Sequence, residues 1–323
     1  FGMPLPQENG EPNLTGVSVN RTEGRKRIRA LREVRRAIAE HAVGKDIVLM
    51  HDPELVLAVA GLRGLPPVVW DVHEDTAATM TLKPWLPTRL RPLGGRLAKL
   101  IERYAERHYH LLLADDGYKE LFESEHPVVP NTTYVPEEVP EPAAERVVYV
   151  GHLTKARGTE EMIEVGRLLR GEVRVELVGD GDDAMRPLLQ RAHAEGLVVW
   201  HGFMPNAQAL ELVQGSLAGL SLRHDEANYR NSWATKVIEY MAHGVPWIST
   251  PTPPAPELAE KFDAGIVTPF GDPQAAADAV LKLRDDANLR VDMARRGHEA
   301  ALAEFDWPVD AKAFIAQLEA WAC

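Results

Sequence analysis

Short apolar, β-branched runs alternate with segments of helical period along most of the chain, and this alternation narrows the possible folds more than any other feature. The strand-like runs are DIVLM (46–50), PVVWDV (67–72), LLLA (111–114), RVVYV (146–150), EVRVELV (172–178), LVVW (197–200), LAGLSL (217–222) and VPWIST (245–250). Helical periods fall at 53–62, 96–108, 159–170, 184–195, 205–215 and 233–243, and after Val267 the sequence reads as purely helical. Strands that are apolar on both faces need cover on both sides. A helix between successive strands supplies it and returns the chain for a parallel neighbour. The sequence therefore predicts an α/β fold built on parallel sheets. A Pro- and Glu-rich stretch, PEEVPEPAAE (136–145), interrupts the alternation, and 323 residues suffice for two cores of ordinary size. Two Rossmann-like domains follow, one over 1–140 and one over 141–306. A closing helical segment, 307–323, is expected to pack back toward the first.

Most runs end in polar residues or glycine: His51-Asp52, His73-Glu74-Asp75, Asp115-Asp116, Gly151-His152, Gly179-Asp180-Gly181, His201-Gly202 and Arg223-His224-Asp225. In open α/β sheets, ligands bind outside the carboxyl ends of the strands. Turns from strand to helix favour glycine and aspartate in any case. The repeated histidines have no such simple reason.

The net charge of −12 argues against a general nucleic-acid binder, yet the charge is unevenly placed. Residues 21–107 hold 17 Lys/Arg against 11 Asp/Glu. The densest part, RTEGRKRIRALREVRR, begins at Arg21 and closes at Arg36, with Ile28, Leu31, Val34 and Ile38 at helical spacing. It reads either as a solvated basic helix face or as a patch that meets anionic lipid or a lipid diphosphate. No apolar run is long enough to span a membrane and no secretory leader is visible. The single cysteine, Cys323, provides neither an internal disulfide nor a thiolate metal site, which fits a reducing cytoplasm.

Two segments carry chemistry. NSWATKVIEYMAHGVP (231–246) reads as a helix from Ala234 to His243, closed by Gly244 with Pro246 beyond. Val237, Ile238, Tyr240, Met241 and Ala242 leave little room for a solvated side, as in a buried helix. Lys236 and Glu239 nonetheless sit inside it, three apart on one face. They form an ordinary ion pair or point at a ligand, because charged groups are rarely buried alone. In YVGHLTKARGTEEMIE (149–164), Gly151 permits a tight turn, Thr159 is the expected N-cap, and Glu160 and Glu161 occupy the first helical turn. The N–H groups at such a helix start suit an anion, and Lys155 and Arg157 add cationic side chains. Asp180, Asp182 and Asp183 resemble an acidic metal motif, but Asp182 and Asp183 more simply cap a helix starting near Ala184.

From Tyr149 to Gly158, then through LVGDG (177–181), HGFMPN (201–206) and NYRNSWATKVIEYMAHGVPWIST (228–250), the chain resembles the retaining nucleotide-sugar glycosyltransferases of family 4, which have the GT-B fold. HDPEL (51–55), DVHED (71–75), KPWLP (83–87) and VVPNT (128–132) extend the likeness over nearly the whole chain. It is most similar to the branch used in cell-surface polysaccharide and glycolipid synthesis, whose wording is NYxxSxxTK…EYMAxGxP. The resemblance implies two Rossmann-like domains facing across a cleft. It also implies transfer of a sugar, with retention of anomeric configuration, from a nucleoside-diphosphate donor to a glycan, lipid-linked or natural-product acceptor. No metal or other cofactor is expected. The setting expected is the cytoplasm, peripheral at the inner membrane face if the basic patch meets lipid.

Carried onto this chain, the resemblance has Arg157 and Lys236 holding the donor diphosphate, in the loop that also contains Gly151, Lys155 and Gly158, with His152 where an arginine is common. Glu239 accepts hydrogen bonds from the ribose hydroxyls, and Phe203 and Met204 pack beside the base. Asn228, Tyr229 and Ser232 help to select the sugar, and Asn231 and Thr235 complete the donor side. His73 faces the donor sugar, with Asp75 and Glu74 orienting it or the acceptor, and His51 and Asp52 lie on the acceptor side. Physically, cations and a helix N-terminus stabilise the charge that develops on a departing diphosphate, and no pair of flanking carboxylates of the glycosidase kind is evident.

Two departures qualify the likeness. Asn231 stands where most of the family has a glutamate eight residues before the ribose-binding one. The start, from Phe1, lacks the strand, Gly-rich loop and long helix that open the fold, so an N-terminal sheet without its first βα unit is expected, cut from a longer protein. A catalytically silent nucleotide-sugar-binding partner and a nucleotide-sugar 2-epimerase are the competing functions.

Overall fold

The computed structural model describes residue 17 and residues 27–82, 88–230 and 232–322. The first part of the basic run (21–26), the KPWLP segment and Asn231 lie outside the described residues, as does the side chain of Asn228. The chain divides into two compact units, Phe1–Pro130 with Lys312–Cys323, and Asn131–Ala311.

The first unit holds α1 (Arg27–His41), β1 (Val48–Met50), α2 (Glu54–Val59), β2 (Val68–Val72), α3 (Thr76–Leu82), α4 (Arg91–His108) and β3 (His110–Leu113). Its three strands are parallel in the order β1-β2-β3, with Met50 beside Trp70 and Trp70 beside Leu111. Successive side chains of a strand point to opposite faces. Met50, Trp70, Leu111 and Leu113 therefore enter one core with Val56, Val59 and Ala105, while Val69 and Leu112 enter another. Phe314, Leu318 and Trp321, from the last helix of the chain, cover that second face, and Trp321 stacks on His110 with ring centroids 4.8 Å apart.

The second unit contains β4 (Arg146–Val150), α5 (Thr159–Leu168), β5 (Arg174–Val178), α6 (Arg186–Ala194), β6 (Val199–Gly202), α7 (Asn206–Val213) and β7 (Ala218–Ser221). It continues through α8 (Thr235–Ala242), β8 (Trp247–Ser249), α9 (Ala255–Phe262), β9 (Gly265–Val267), α10 (Pro273–Asp285) and α11 (Ala287–Glu304), and α12 (Trp307–Ala322) runs on into the first unit. The six strands are parallel in the order β6-β5-β4-β7-β8-β9. The direction of winding thus reverses between β4 and β7, the Rossmann arrangement.

All eight strand-like runs form strands: five are shortened, β4 keeps its bounds, β3 starts one residue earlier and β6 two residues later. The ninth, β9, escapes sequence reading because it has three residues and starts with Gly265. That glycine is required: a Cβ there would lie 2.1 Å from the Trp247 indole. Two helices, α3 and α9, also have no counterpart in the sequence reading. The Pro- and Glu-rich stretch belongs to the second unit, whose boundary falls at residue 131 and not at 141. It is strapped down by polar contacts: the Ala143 amide donates to the Gly215 carbonyl (3.0 Å), Arg290 Nε donates to Pro142 O (3.0 Å), and His298 Nε2 meets Pro136 O (2.7 Å).

Candidate functional site

In a doubly wound sheet the place where strand order reverses leaves a crevice at the carboxyl ends of the two central strands. Here these are β4 and β7. Most of the expected donor residues lie on the segments leaving those strands: Gly151 to Gly158 after β4, and 223–239 after β7. Gly158 sits in the left-handed region (φ 79°), and a Cβ on it would lie 1.9 Å from the Leu222 carbonyl oxygen. The two segments are also tied by the His224 amide, which donates to Ala156 O at 2.9 Å. Only glycine allows that approach. Gly179, after β5, packs in the same way, since a Cβ on it would lie 1.8 Å from Gly151 O.

Around this junction the cations have polar neighbours. Arg157 is half-buried beside the Tyr149 and Tyr229 hydroxyls. Burial is the largest influence and pulls its pKa down, but the two phenols more than offset it, so the guanidinium stays charged. Arg223 lies over the Tyr229 ring, 4.7 Å from its centroid. Lys155 reaches Glu160 at 3.0 Å, and His152 is exposed, its carbonyl accepting from the Tyr149 hydroxyl at 3.1 Å. The cap of α5 is Gly158, not Thr159. Thr159 is fully buried as the first helical residue, and its hydroxyl donates to Thr154 O at 2.8 Å.

Helix α8 buries Val237, Ile238, Tyr240, Met241 and Ala242, as its sequence predicts. Tyr240 anchors it by donating to Leu220 O at 3.0 Å, across Gly219, where a Cβ would lie 2.4 Å from the tyrosine ring. On the remaining face Lys236 Nζ meets Glu239 Oε2 at 2.7 Å and Oε1 at 2.9 Å, and both side chains keep about a fifth of their surface open. The pair is thus an ion pair in this structure, in the first turns of a helix and reachable by solvent. Ser232 and Thr235 are half-buried just before it. Phe203 is 80% exposed while Met204 packs against the second core of the unit. Helix α6 starts at Arg186 with Met185 at its cap and no side-chain cap; Asp182 Oδ1 instead accepts from the Met185 amide (2.9 Å) in the turn before it, and Asp180 pairs with Arg186 (3.0 Å).

A second constellation lies in the first unit. The register that sets Met50 beside Trp70 carries His51 beside Asp71. His73 follows on the same side of the chain as Asp71, two residues away. Asp71 Oδ2 lies 2.7 Å from His73 Nε2 and 3.0 Å from His51 Nδ1, and the two imidazole nitrogens are 3.3 Å apart. Asp71 is 5% exposed. Its partners reach solvent, so the carboxylate orients two accessible imidazoles. The same three atoms are the group among the described residues able to ligate a metal. The expected orienting residues act elsewhere: Asp75 Oδ1 accepts from the Ala78 amide (2.8 Å), capping α3, and Glu74 Oε2 accepts from the Thr79 hydroxyl (3.2 Å). Asp52 is exposed.

Asp71 was missed by sequence reading. Its signal was a lone acid in an apolar strand, two residues from His73. The repeated histidines also find a common explanation. Four of the five strand-end histidines, His51, His73, His201 and His224, contact a carboxylate, from Asp71, Glu176 or Glu161, at 2.7–3.0 Å. A cavity of about 610 Å³ lined by Glu145, Arg174 and Arg284 opens at the amino ends of β4 and β5, away from the switch point, and holds none of the expected site residues.

The described architecture, parallel sheets with Rossmann-like winding, is that of solved GT-B glycosyltransferases. It matches Anabaena HepE in complex with UDP and glucose (TM-score 0.71, 15% identity, 91% of this chain and 82% of that one). It also matches sucrose-phosphate synthase from Thermosynechococcus elongatus (TM-score 0.73, 16% identity, 93% and 81%). Residues 133–300 match the family "Glycosyl transferases group 1", and the chain belongs to that family. Among curated proteins it is similar to N-acetyl-alpha-D-glucosaminyl L-malate synthase of Bacillus anthracis, 25% identical over 163 residues (49% of this chain). It is also similar to the putative teichuronic acid biosynthesis glycosyltransferase TuaC of Bacillus subtilis, 29% identical over 173 residues (53% of this chain). Each match spans 41% of the relative's length.

Proposed function

We propose that the chain carries the donor-binding machinery of a retaining, metal-independent glycosyltransferase of family 4. The observation that supports this most is the pairing, in a group 1 family member, of a glycine-built junction at the β4/β7 switch point with Arg157 on one side and the open Lys236–Glu239 pair on the other. Binding of a nucleoside-diphosphate sugar opens that ion pair. Lys236 and Arg157 take the diphosphate, and Glu239 accepts from the ribose hydroxyls. The bond between the anomeric carbon and the β-phosphate oxygen breaks, and its electron pair leaves with the nucleotide, where fixed cations stabilise it. The acceptor hydroxyl attacks on the same face of the sugar, and its proton passes to the departing phosphate. Exposed Phe203 covers the base, and Gly151, His152, Lys155, Gly158, Asn228, Tyr229, Asn231, Ser232, Met204 and Thr235 complete the donor side. His73, oriented by Asp71, acts at the transferred sugar, with His51 and Asp52 on the acceptor side. The acceptor is a glycan or lipid-linked glycan, the class that relatives named for teichuronic acid and lipopolysaccharide core biosynthesis suggest.

Titration of UDP, GDP, ADP and TDP tests the reading, with UDP first because it is bound in HepE. Binding of one of them and transfer insensitive to EDTA are expected. No binding by any of the four overturns the proposal, and binding without transfer across many acceptors returns the silent-partner reading. Lys236→Ala is expected to weaken nucleoside-diphosphate binding about tenfold or more and nucleoside-monophosphate binding little, as for loss of a charge-assisted contact to the β-phosphate.

A further inference from the structure

Helix α4 buries Ala98, Glu102 and Ala105 against the first unit. Its opposite face is apolar and exposed: Leu93, Leu97 and Leu100 keep 63%, 57% and 61% of their surface open, and Leu90 in the preceding turn keeps 48%. Spacings of three and four place these four leucines in one stripe. Exposed cations, Arg96, Lys99, Arg103 and Arg107, line one edge of it, with Arg103 Nε 3.8 Å from Glu123 Oε1. The acids of the helix point elsewhere, Glu102 inward and Glu106 to the Glu123 and Ser124 amides.

We propose that this face of α4 docks on an anionic lipid surface, with the leucines at the acyl boundary and the cations among the headgroups. An amphipathic helix with an apolar stripe beside a row of basic side chains has that mode of binding. A second copy meeting this face symmetrically would set the same cations against one another. Of the basic run expected from sequence, residues 21–26 lie outside the described residues, and part of the rest is engaged within the unit. Arg35 there donates to the carbonyls of Ala58 (2.8 Å) and Ala60 (2.7 Å), and Arg29 pairs with Glu33 (3.3 Å). The surface is independent of whether the chain transfers sugars, and no described helix is long and apolar enough to cross a membrane.

The test uses the full chain carrying Cys323→Ser and Leu97→Cys labelled with an environment-sensitive dye, mixed with phosphatidylcholine vesicles with or without about one third phosphatidylglycerol. A blue shift with the anionic vesicles, at least about tenfold tighter than with neutral ones and weakened by salt, is expected. Sedimentation of the unlabelled chain with anionic vesicles is expected to fall by a similar factor in Leu93→Asp and in Arg96→Glu/Lys99→Glu, with unchanged thermal unfolding. No shift, or equal binding to both vesicles, overturns the proposal. So does a dye already shielded without lipid, which means that another segment of the chain covers the face. Shielding that grows with protein concentration alone means a second copy covers it, and overturns it as well.

Discussion

Asp71 has two imidazoles on one carboxylate oxygen at the end of a strand buried throughout its length. A buried carboxylate needs such partners, and they in turn are held in one orientation by it. Asp71→Asn keeps the shape but replaces an acceptor of two charge-assisted bonds with an amide. Transfer is expected to slow by about tenfold or more while nucleotide affinity stays unchanged, as when an orienting carboxylate is lost. A parallel fall in nucleotide affinity would assign Asp71 to stability alone. Gly158 makes the opposite kind of contribution, through the absence of a side chain. Gly158→Ala meets both the positive φ and the Leu222 carbonyl, so a loss of at least about 2 kcal/mol in urea unfolding is expected. A smaller loss would mean that the loops separate easily. Both residues were visible in the sequence as types. Glycine in a strand-to-helix turn was legible, whereas the partner of His73 was not: Asp71 and Asp75 are equally distant from it in sequence, and strand alternation keeps Asp71 on its side while Asp75 turns away to cap α3.

Helices α8 and α4 show how far an element can be read from its own sequence. The apolar faces of α8 were legible and are buried. The charged pair was legible as a pair, and the structure supplies its solvent access. Helix α4 is five residues longer at its start than the sequence period suggests, and which of its faces is buried follows from where α3 and β3 pack. That packing buries Glu102, whose pKa is pushed up to about 7, first by burial and then by the Asp75 carboxylate. The folded state therefore binds this proton more tightly than the unfolded chain does. The stability it confers is complete below about pH 4.5 and is lost as pH rises through about 7. Glu102→Gln removes the cost of ionisation, so it is expected to stabilise the first unit by up to ~3 kcal/mol at about pH 8 relative to its effect at about pH 4. Chemical unfolding at the two pH values measures this, and an equal effect at both would show that Glu102 ionises freely.

At the scale of the whole chain, two units with their own apolar cores are expected to respond separately. Burial holds the His243 imidazole below its ordinary value of 6.5 in the second unit. Its contribution to stability is present above pH 6.5 and lost as pH falls through the lowered value, opposite in sense to that of Glu102. Hydrogen exchange resolved by unit is expected to show the His243 contribution falling on acidification while the Glu102 contribution rises, and a His243→Gln variant should abolish the first trend only. A nucleoside diphosphate at about 100 times its Kd is expected to add ~2.7 kcal/mol to the second unit and leave exchange in the first unchanged. The sequence by itself determined the α/β class, the parallel strands, the buried helix α8 and the likeness to GT-B glycosyltransferases, because periodicity and short motifs are local and survive without knowledge of contacts. The tertiary structure decided the strand order that puts the switch point at β4/β7. It also decided that the Pro-rich stretch belongs to the second unit, that Asp71 serves both His51 and His73, and which face of α4 remains uncovered. Each of these depends on pairing between residues distant in the chain, a quantity set by packing and register and carried by no single segment.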